Sequence, residues 1–281
     1  MGRRLLILIV LVLTCGLCVA APTAATPQGA TSFRIGVAPH TSARVILQMY
    51  QPLRAYLERT LGRPVSIVTA ADFTEFAKRG LQNEFDLAIT TGHQARLFES
   101  DAGYLSLLTY KADFKAVVLV EQKSRLQKPA DLANSTVIGL SPSSLVTIWG
   151  QHWLFRNAIP NVQMRYVSAS DSAVQLVLNG EGSAGMTSLA NYQNLKPEVR
   201  DRLRILAESL PLAGRVYMLN KRHAELKDKI VAALWSFAAT PEAAEYFEKY
   251  SLEGYRKLEP RELVAMEPYA NEVRKTLRQE K

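Results

Sequence analysis

The side chains able to do chemistry are few and widely spaced. Histidine occurs at His40, His93, His152 and His223, and no two of these stand at the i, i+4 spacing that sets a pair of imidazoles on one helix face for zinc. Both cysteines, Cys15 and Cys18, lie in an apolar N-terminal run, so once that run is removed neither a thiolate nucleophile nor a thiolate metal site remains. Gly180-Glu-Gly-Ser-Ala-Gly185 spells GxGxxG, yet it follows a helical pattern and precedes a strand pattern, the reverse of the order a dinucleotide turn needs, and reads as a plain turn. No GxxxxGK[ST] phosphate loop is present, and Ser141 and Ser183 lack the flanking glycines of a nucleophile elbow. Scattered acids make no case for a glycosidase pair. These residues predict no enzyme, no metal and no cofactor.

Three short polar segments remain, each between an apolar run and a helical pattern: Ala38-Pro-His-Thr-Ser42, Thr90-Thr-Gly-His93 and Ser141-Pro-Ser-Ser144. Hydroxyls, a glycine that lets backbone come close, and the bare N–H groups of a helix start together suit an oxyanion such as a phosphate or phosphonate group. The candidate ligand residues are therefore His40, Thr41, Thr90, Thr91, His93, Ser141, Ser143 and Ser144, joined by Asp171 and Thr187 at the starts of two later helices. The competing reading is that the hydroxyls and the acid are only N-caps, the commonest use of Ser, Thr and Asp in such places. His93 either donates to an anion or packs at a helix start. Arg44 and Arg96 read as solvated helix faces, and Trp149 with Trp153, four apart, as packing rather than a stacking platform.

The elements that must position these residues follow from periodicity. Phe33 to Ala38 reads as a strand, and Val45, Ile46, Met49, Leu53, Tyr56, Leu57 and Leu61 fall at helical spacing up to Gly62, a C-cap with Pro64 beyond. Val65 to Val68 is a second strand, Asp72 caps a helix carrying Phe73, Phe76 and Leu81, and Phe85 to Ile89 is a third strand. Then Tyr104 to Leu108 and Ala116 to Val120 follow each other without a helix, after which alternation resumes through Thr136–Leu140, Ser144–Asn157, Val162–Val167, Asp171–Leu178 and Ser183–Met186. Arg215 to Leu219 reads as a strand returning to the first sheet. The pattern predicts an α/β protein of two lobes, each a mostly parallel sheet flanked by helices, with crossovers near 110–116 and 207–215 and a ligand cleft between the lobes.

Ahead of this, Arg3 and Arg4 precede an unbroken apolar run from Leu5 to Leu13, and Cys18-Val19-Ala20 offers a small-residue exit. This predicts a signal peptide over 1–20, a flexible lead-in over 21–32, and a periplasmic protein, with an uncleaved anchor as the rival. The remaining boundaries are 33–112 for the first part of lobe 1, 113–210 for lobe 2, and 211–281 for the rest of lobe 1 and the C-terminal helices. The formal charge of +8 falls to +6 when Arg3 and Arg4 leave with the leader. The basic residues form no block, so a small anion is favoured over nucleic acid as the partner.

The residues also resemble a known family, the periplasmic substrate-binding proteins for phosphate, phosphite and phosphonate used by ABC transporters. The likeness runs over roughly 33 to 240. It is carried by Arg34-Ile-Gly-Val-Ala-Pro39, by Pro52-Leu53 through Leu61-Gly62-Arg-Pro-Val65, by Phe85-Asp-Leu-Ala-Ile89, by Asp131-Leu with Thr136-Val137, and by Ser141-Pro142-Ser-Ser144. It implies a two-lobed type II periplasmic binding fold that closes on its ligand, acts as a monomer and hands an anion to an inner-membrane permease. The alternative partner is a membrane sensor kinase. The family's Ser-Thr-Ser run at a helix start is represented by Ser144, with Leu145 and Val146 in place of the other two hydroxyls.

Overall fold

The structure, a computed structural model, describes residues 32–279; the leader expected over 1–20, and the lead-in up to residue 31, lie outside them. The chain opens with β1 (Phe33–Val37), α1 (Ala43–Leu61), β2 (Val65–Val68), α2 (Phe73–Leu81), β3 (Leu87–Thr91), α3 (Gly92–Leu97) and β4 (Leu105–Tyr110). It crosses to β5 (Ala116–Glu121), β6 (Thr136–Gly139), α4 (Leu145–Arg156), β7 (Gln163–Tyr166), α5 (Ser170–Leu178), β8 (Ala184–Ser188), α6 (Leu189–Gln193), α7 (Pro197–Arg200) and β9 (Leu203–Glu208). It returns through β10 (Arg215–Leu219) and closes with α8 (Lys227–Ala238), α9 (Pro241–Lys249), β11 (Tyr255–Arg256) and α10 (Glu267–Gln279).

Two sheets result, in the orders β11-β4-β10-β3-β1-β2 and β7-β6-β8-β5-β9. They are mixed, where mostly parallel sheets were expected. The βαβ units do give parallel pairs: β1 with β2 and β3, and β6 with β7 and β8. The crossover strands have no helix before them and enter antiparallel, β10 against β3 and β4, and β5 against β8 and β9. The third strand also shifts. It starts at Leu87 rather than Phe85 and runs on to Thr91, because β10 continues the ladder, pairing Val216 with Thr90 and Arg215 with Thr91.

Local chemistry explains the supporting helices. Along α1, Ile46, Met49, Tyr50, Leu53 and Leu57 recur at three- and four-residue spacing and are buried, each gaining about 1.5–3 kcal/mol over exposure. Ser42 Oγ accepts from Val45 N at its start, and Gly62, at φ 67°, ends it in the left-handed conformation that glycine adopts without strain. Asp72 caps α2 through Thr74 N and Glu75 N at 2.7 and 2.9 Å. The two crossovers touch each other, Leu212 N donating to Phe114 O at 2.8 Å. Among the described residues, no helix is long and apolar enough to cross a membrane.

Candidate ligand site between the sheets

β1, β3, β6 and β8 each deliver their C-terminal ends to the start of a helix, α1, α3, α4 and α6 respectively. Two of these helix starts belong to each sheet, and they meet along a seam. On one side His93 Nε2 lies 2.9 Å from Ser143 O, Gln94 Nε2 donates to the same carbonyl at 3.4 Å, and Thr74 Oγ1 donates to Ser143 Oγ at 3.0 Å. On the other side Asn191 Nδ2 donates to His40 O at 3.3 Å and to Ser170 Oγ at 2.7 Å. Between them lies a cavity of about 30 Å³ bordered by His40, Thr91, Ser144, Ser188 and Asn191, with Phe73, Phe114, Leu140 and Val146 as its apolar walls. That volume takes roughly two water-sized particles. Adjoining it, a larger cavity of about 320 Å³ is bordered by His40, Thr41, Asp171, Asn191, Arg215 and Lys249, among others.

The histidines are neutral here, and their tautomers follow from their partners. His93 is fully buried; a carbonyl can only accept, so Nε2 carries the proton toward Ser143 O and Nδ1 accepts from Thr91 Oγ1 at 3.1 Å. Burial pushes its pKa down to about 4, against a smaller upward pull from the Ser143 carbonyl. His40 donates from Nδ1 to Ala38 O at 2.9 Å, leaving Nε2 to accept from Arg215 Nη1 at 3.2 Å. Burial, and next the positive charge of Arg215, push its pKa down to about 3.

The residues singled out from sequence fall into three positions. His40, Thr91 and Ser144 face the small cavity, and Thr41 and Asp171 border the larger one. Thr90, His93, Ser143 and Thr187 are buried behind this lining and bonded within the protein, Thr90 to Gln94 Oε1 at 3.1 Å and Thr187 to Asn191 Nδ2 at 3.4 Å. Ser141 is buried too, and its hydroxyl has no hydrogen-bond partner in the protein. The N-cap reading fails for Ser144, which occupies the cap position of α4 without a side-chain bond to the helix, and for Asp171, since Ala169 is the cap of α5. Thr90 and Thr91 are strand residues rather than loop residues. Gly92 admits close backbone, but that backbone is the crossover: Gly92 N donates to Ala213 O at 3.2 Å. Arg96 is not a solvated helix face, since it bonds Glu267 at 2.5 Å. The rings of Trp149 and Trp153 stack at 6.2 Å beside a separate cavity bordered by Leu212, Met266 and Tyr269.

Periodicity did not reveal Arg215 and Asn191, which border the candidate cavities, or Gln94, which bonds across the seam. Arg215 opens an otherwise apolar strand, Val216 to Leu219, that is fully buried. An arginine leading such a run is the one sequence signal of its position, and periodicity alone does not read it. Among the described residues, no group of three or more His, Cys, Asp or Glu side chains is disposed to hold a metal ion.

Comparison with known proteins gives the same picture of the fold. The family model described as "ABC transporter, phosphonate, periplasmic substrate-binding protein" matches residues 35–263. No curated protein sequence matches the chain. Solved structures do. XAC2383 from Xanthomonas citri, bound to chloride ion, is 18% identical with a TM-score of 0.72 over 87% of this chain and 99% of that one. PhnD1 from Prochlorococcus marinus, in complex with methylphosphonate, is 13% identical with a TM-score of 0.74 over 87% and 98%. The binding protein component of an ABC phosphonate transporter, PA3383 from Pseudomonas aeruginosa, is 12% identical with a TM-score of 0.71 over 88% and 93%.

Proposed function

The chain belongs to the periplasmic substrate-binding proteins of phosphonate ABC transporters, and we propose that it captures a small anionic solute where the helix starts of its two sheets meet, then presents it to an inner-membrane permease. It is a binding protein and not an enzyme in this reading, works as a monomer, and reaches the periplasm through a cleaved signal peptide at 1–20. The lobes 33–112 with 211–281, and 113–210, hinge about the paired crossovers. The ligand favours the closed form, and only that form engages the permease productively.

The observation that carries this reading is the convergence of four strand-to-helix junctions, two from each sheet, on one cavity and its mouth. The first-turn N–H groups of α4 have no partners within the helix and favour negative charge, and Ser144 Oγ stands beside them unspent on capping. Thr91 and His40 line the chamber, Thr41 and Asp171 its rim, while Thr90, His93, Ser141, Ser143 and Thr187 support that lining from behind. The 30 Å³ chamber is too small for a methylphosphonate-sized solute without movement, so capture is coupled to a change in lobe spacing.

A thermal-shift screen with phosphate, phosphite, methylphosphonate and short carboxylates tests the reading, because a ligand bound only by the folded state raises Tm by mass action. Small-angle scattering on the same samples reads closure. A solute that raises Tm and contracts the protein is the expected result. No shift from any of these anions, with tight binding of a neutral or cationic solute instead, overturns it.

A further inference from the structure

Several partly buried arginines in this protein are matched by carboxylates: Arg96 by Glu267 at 2.5 Å, Arg274 by Asp101 at 2.8 Å, Arg256 by Glu262 at 2.8 Å. Arg215 has no such partner. It borders the interlobe mouth, and no carboxylate lies within ion-pair distance of it among the described residues. Its side-chain hydrogen bonds are all to uncharged groups and all made by one nitrogen. Nη1 donates to His40 Nε2 at 3.2 Å and to Tyr50 OH at 3.3 Å, with Met49 Sδ at 3.8 Å, and the guanidinium carbon stands 5.5 Å over the Tyr110 ring. Nε and Nη2 make no hydrogen bond among the described residues.

A guanidinium hydrogen-bonded by one nitrogen, placed over an aromatic ring and left without a counter-charge is half of a bidentate pair. The other half is missing from the protein itself. Leaving a cation partly desolvated and unpaired costs free energy that a bound anion returns. The support beneath it is rigid: Tyr110 OH bonds Tyr217 OH at 2.6 Å and also Tyr246 OH, and Tyr217 OH bonds Tyr255 OH at 2.9 Å. Thr91, by contrast, gives its proton to His93 and offers the small chamber only lone pairs, a poor anion donor.

We propose that Arg215 is the anchor for the solute's oxyanion, gripping a carboxylate, phosphonate or phosphate monoester through Nε and Nη2, with the remainder of an organic anion lying in the 320 Å³ mouth beside Lys249 and Asn191. This deepens the function proposed above and rests on it. It adds a forked anchor at the first strand of the returning segment to the anion-favouring start of α4, and it predicts organic anions over bare phosphate.

Isothermal titration of the purified protein with methylphosphonate, phosphate and succinate tests it, using Arg215→Gln, Arg215→Lys and, as a control for net charge, Arg202→Gln on an exposed arginine just before β9. The expected result is a loss of at least tenfold in affinity for whichever probe binds, in both Arg215 variants, with Arg202→Gln within twofold of wild type. Lysine keeps the charge and loses the fork, so it reads the pairing geometry even should Arg215→Gln fail to fold. In the wild type, the Arg215 Nε–H resonance, identified by its absence from Arg215→Lys, moves on addition of the probe. Binding by the wild type with both variants unchanged overturns the assignment and leaves the proposed function standing; no binding of any probe to the wild type overturns both.

Discussion

Nε2 of His93 stands 2.9 Å from the carbonyl oxygen of Ser143, so a side chain carried by α3 beneath the first sheet is bonded to the loop that begins α4 beneath the second. The bond needs a proton on Nε2, and in the neutral ring Nδ1 accepts from Thr91. Proton uptake at Nδ1 leaves the Nε2–H bond to Ser143 O in place, so it is burial that opposes the charged ring.

The first prediction concerns acid. With a folded pKa of about 4 against 6.5 when exposed, the stability linked to His93 is complete above pH 6.5 and lost as pH falls toward 4, the unfolded chain taking up a proton that the folded one refuses. By pH 4.5 this amounts to about 2–3 kcal/mol. His93→Gln stays neutral at every pH and keeps a donor, so its urea midpoint falls less steeply between pH 7.5 and 4.5 than that of the wild type. Parallel midpoint curves sink the idea. His40, with its pKa at about 3, is common to both proteins and cancels.

Part of the candidate cavity's lining was legible from sequence, for a definite reason. His40, Thr91 and Ser144 all sit where an apolar run stops and a helical period begins, and such junctions face the crevice of an α/β sheet. What a one-dimensional pattern lacks is strand direction and distant pairing. The antiparallel entry of β10 put Thr90 and Thr91 into the ladder, and it set Arg215 against His40 across a separation of 175 residues. The apolar run Val216 to Leu219 announced a strand, but that its leading arginine has no carboxylate depends on Tyr50 and Tyr110 arriving from two other elements.

Ser144 separates a capping role from a binding role. Its hydroxyl makes no cap bond to α4, so Ser144→Ala changes the stability of the ligand-free protein by less than about 0.5 kcal/mol, where a true cap would cost ~1 kcal/mol. Affinity for the captured anion falls severalfold. Thermal melts without solute and calorimetry with it read the two quantities apart; a melt lowered as much as a lost cap requires would return Ser144 to a structural role.

Asp86 holds the far end of the first sheet together. Oδ2 accepts from Arg34 N at 2.6 Å, and Oδ1 from Arg222 Nε at 3.1 Å and His223 Nε2 at 2.7 Å. Burial pushes the carboxyl's pKa up, but these bonds together outweigh it and hold it below 3.8. Its contribution is thus present above pH 3.8 and lost as pH drops through the lowered folded value. Asp86→Ala leaves Arg222 and the Arg34 amide without their acceptor and costs about 2–4 kcal/mol, less than a fully buried pair because Arg222 is partly solvated. Urea unfolding at pH 7 checks the loss. Solute affinity stays within twofold of wild type, since Asp86 precedes β3 and the candidate site follows it.

Gly92 links the site to its hinge. A Cβ added there would lie 2.3 Å from Ala213 Cβ and 2.8 Å from Ala213 O, both on the crossover that returns the chain to the first sheet. Backbone is on one side of that clash, so the strain cannot be relieved by turning a side chain, and Gly92→Ala costs about 1–3 kcal/mol. The crossover must also move away from α3, which breaks the 3.2 Å bond from Gly92 N to Ala213 O and shifts Arg215 two residues further on. Gly92→Ala therefore alters both Tm and solute affinity, and the scattering profile of its ligand-bound form departs from that of the closed wild type. Were Tm to fall while affinity and scattering stayed at wild-type values, the crossover would be a static strap and not part of the closing motion.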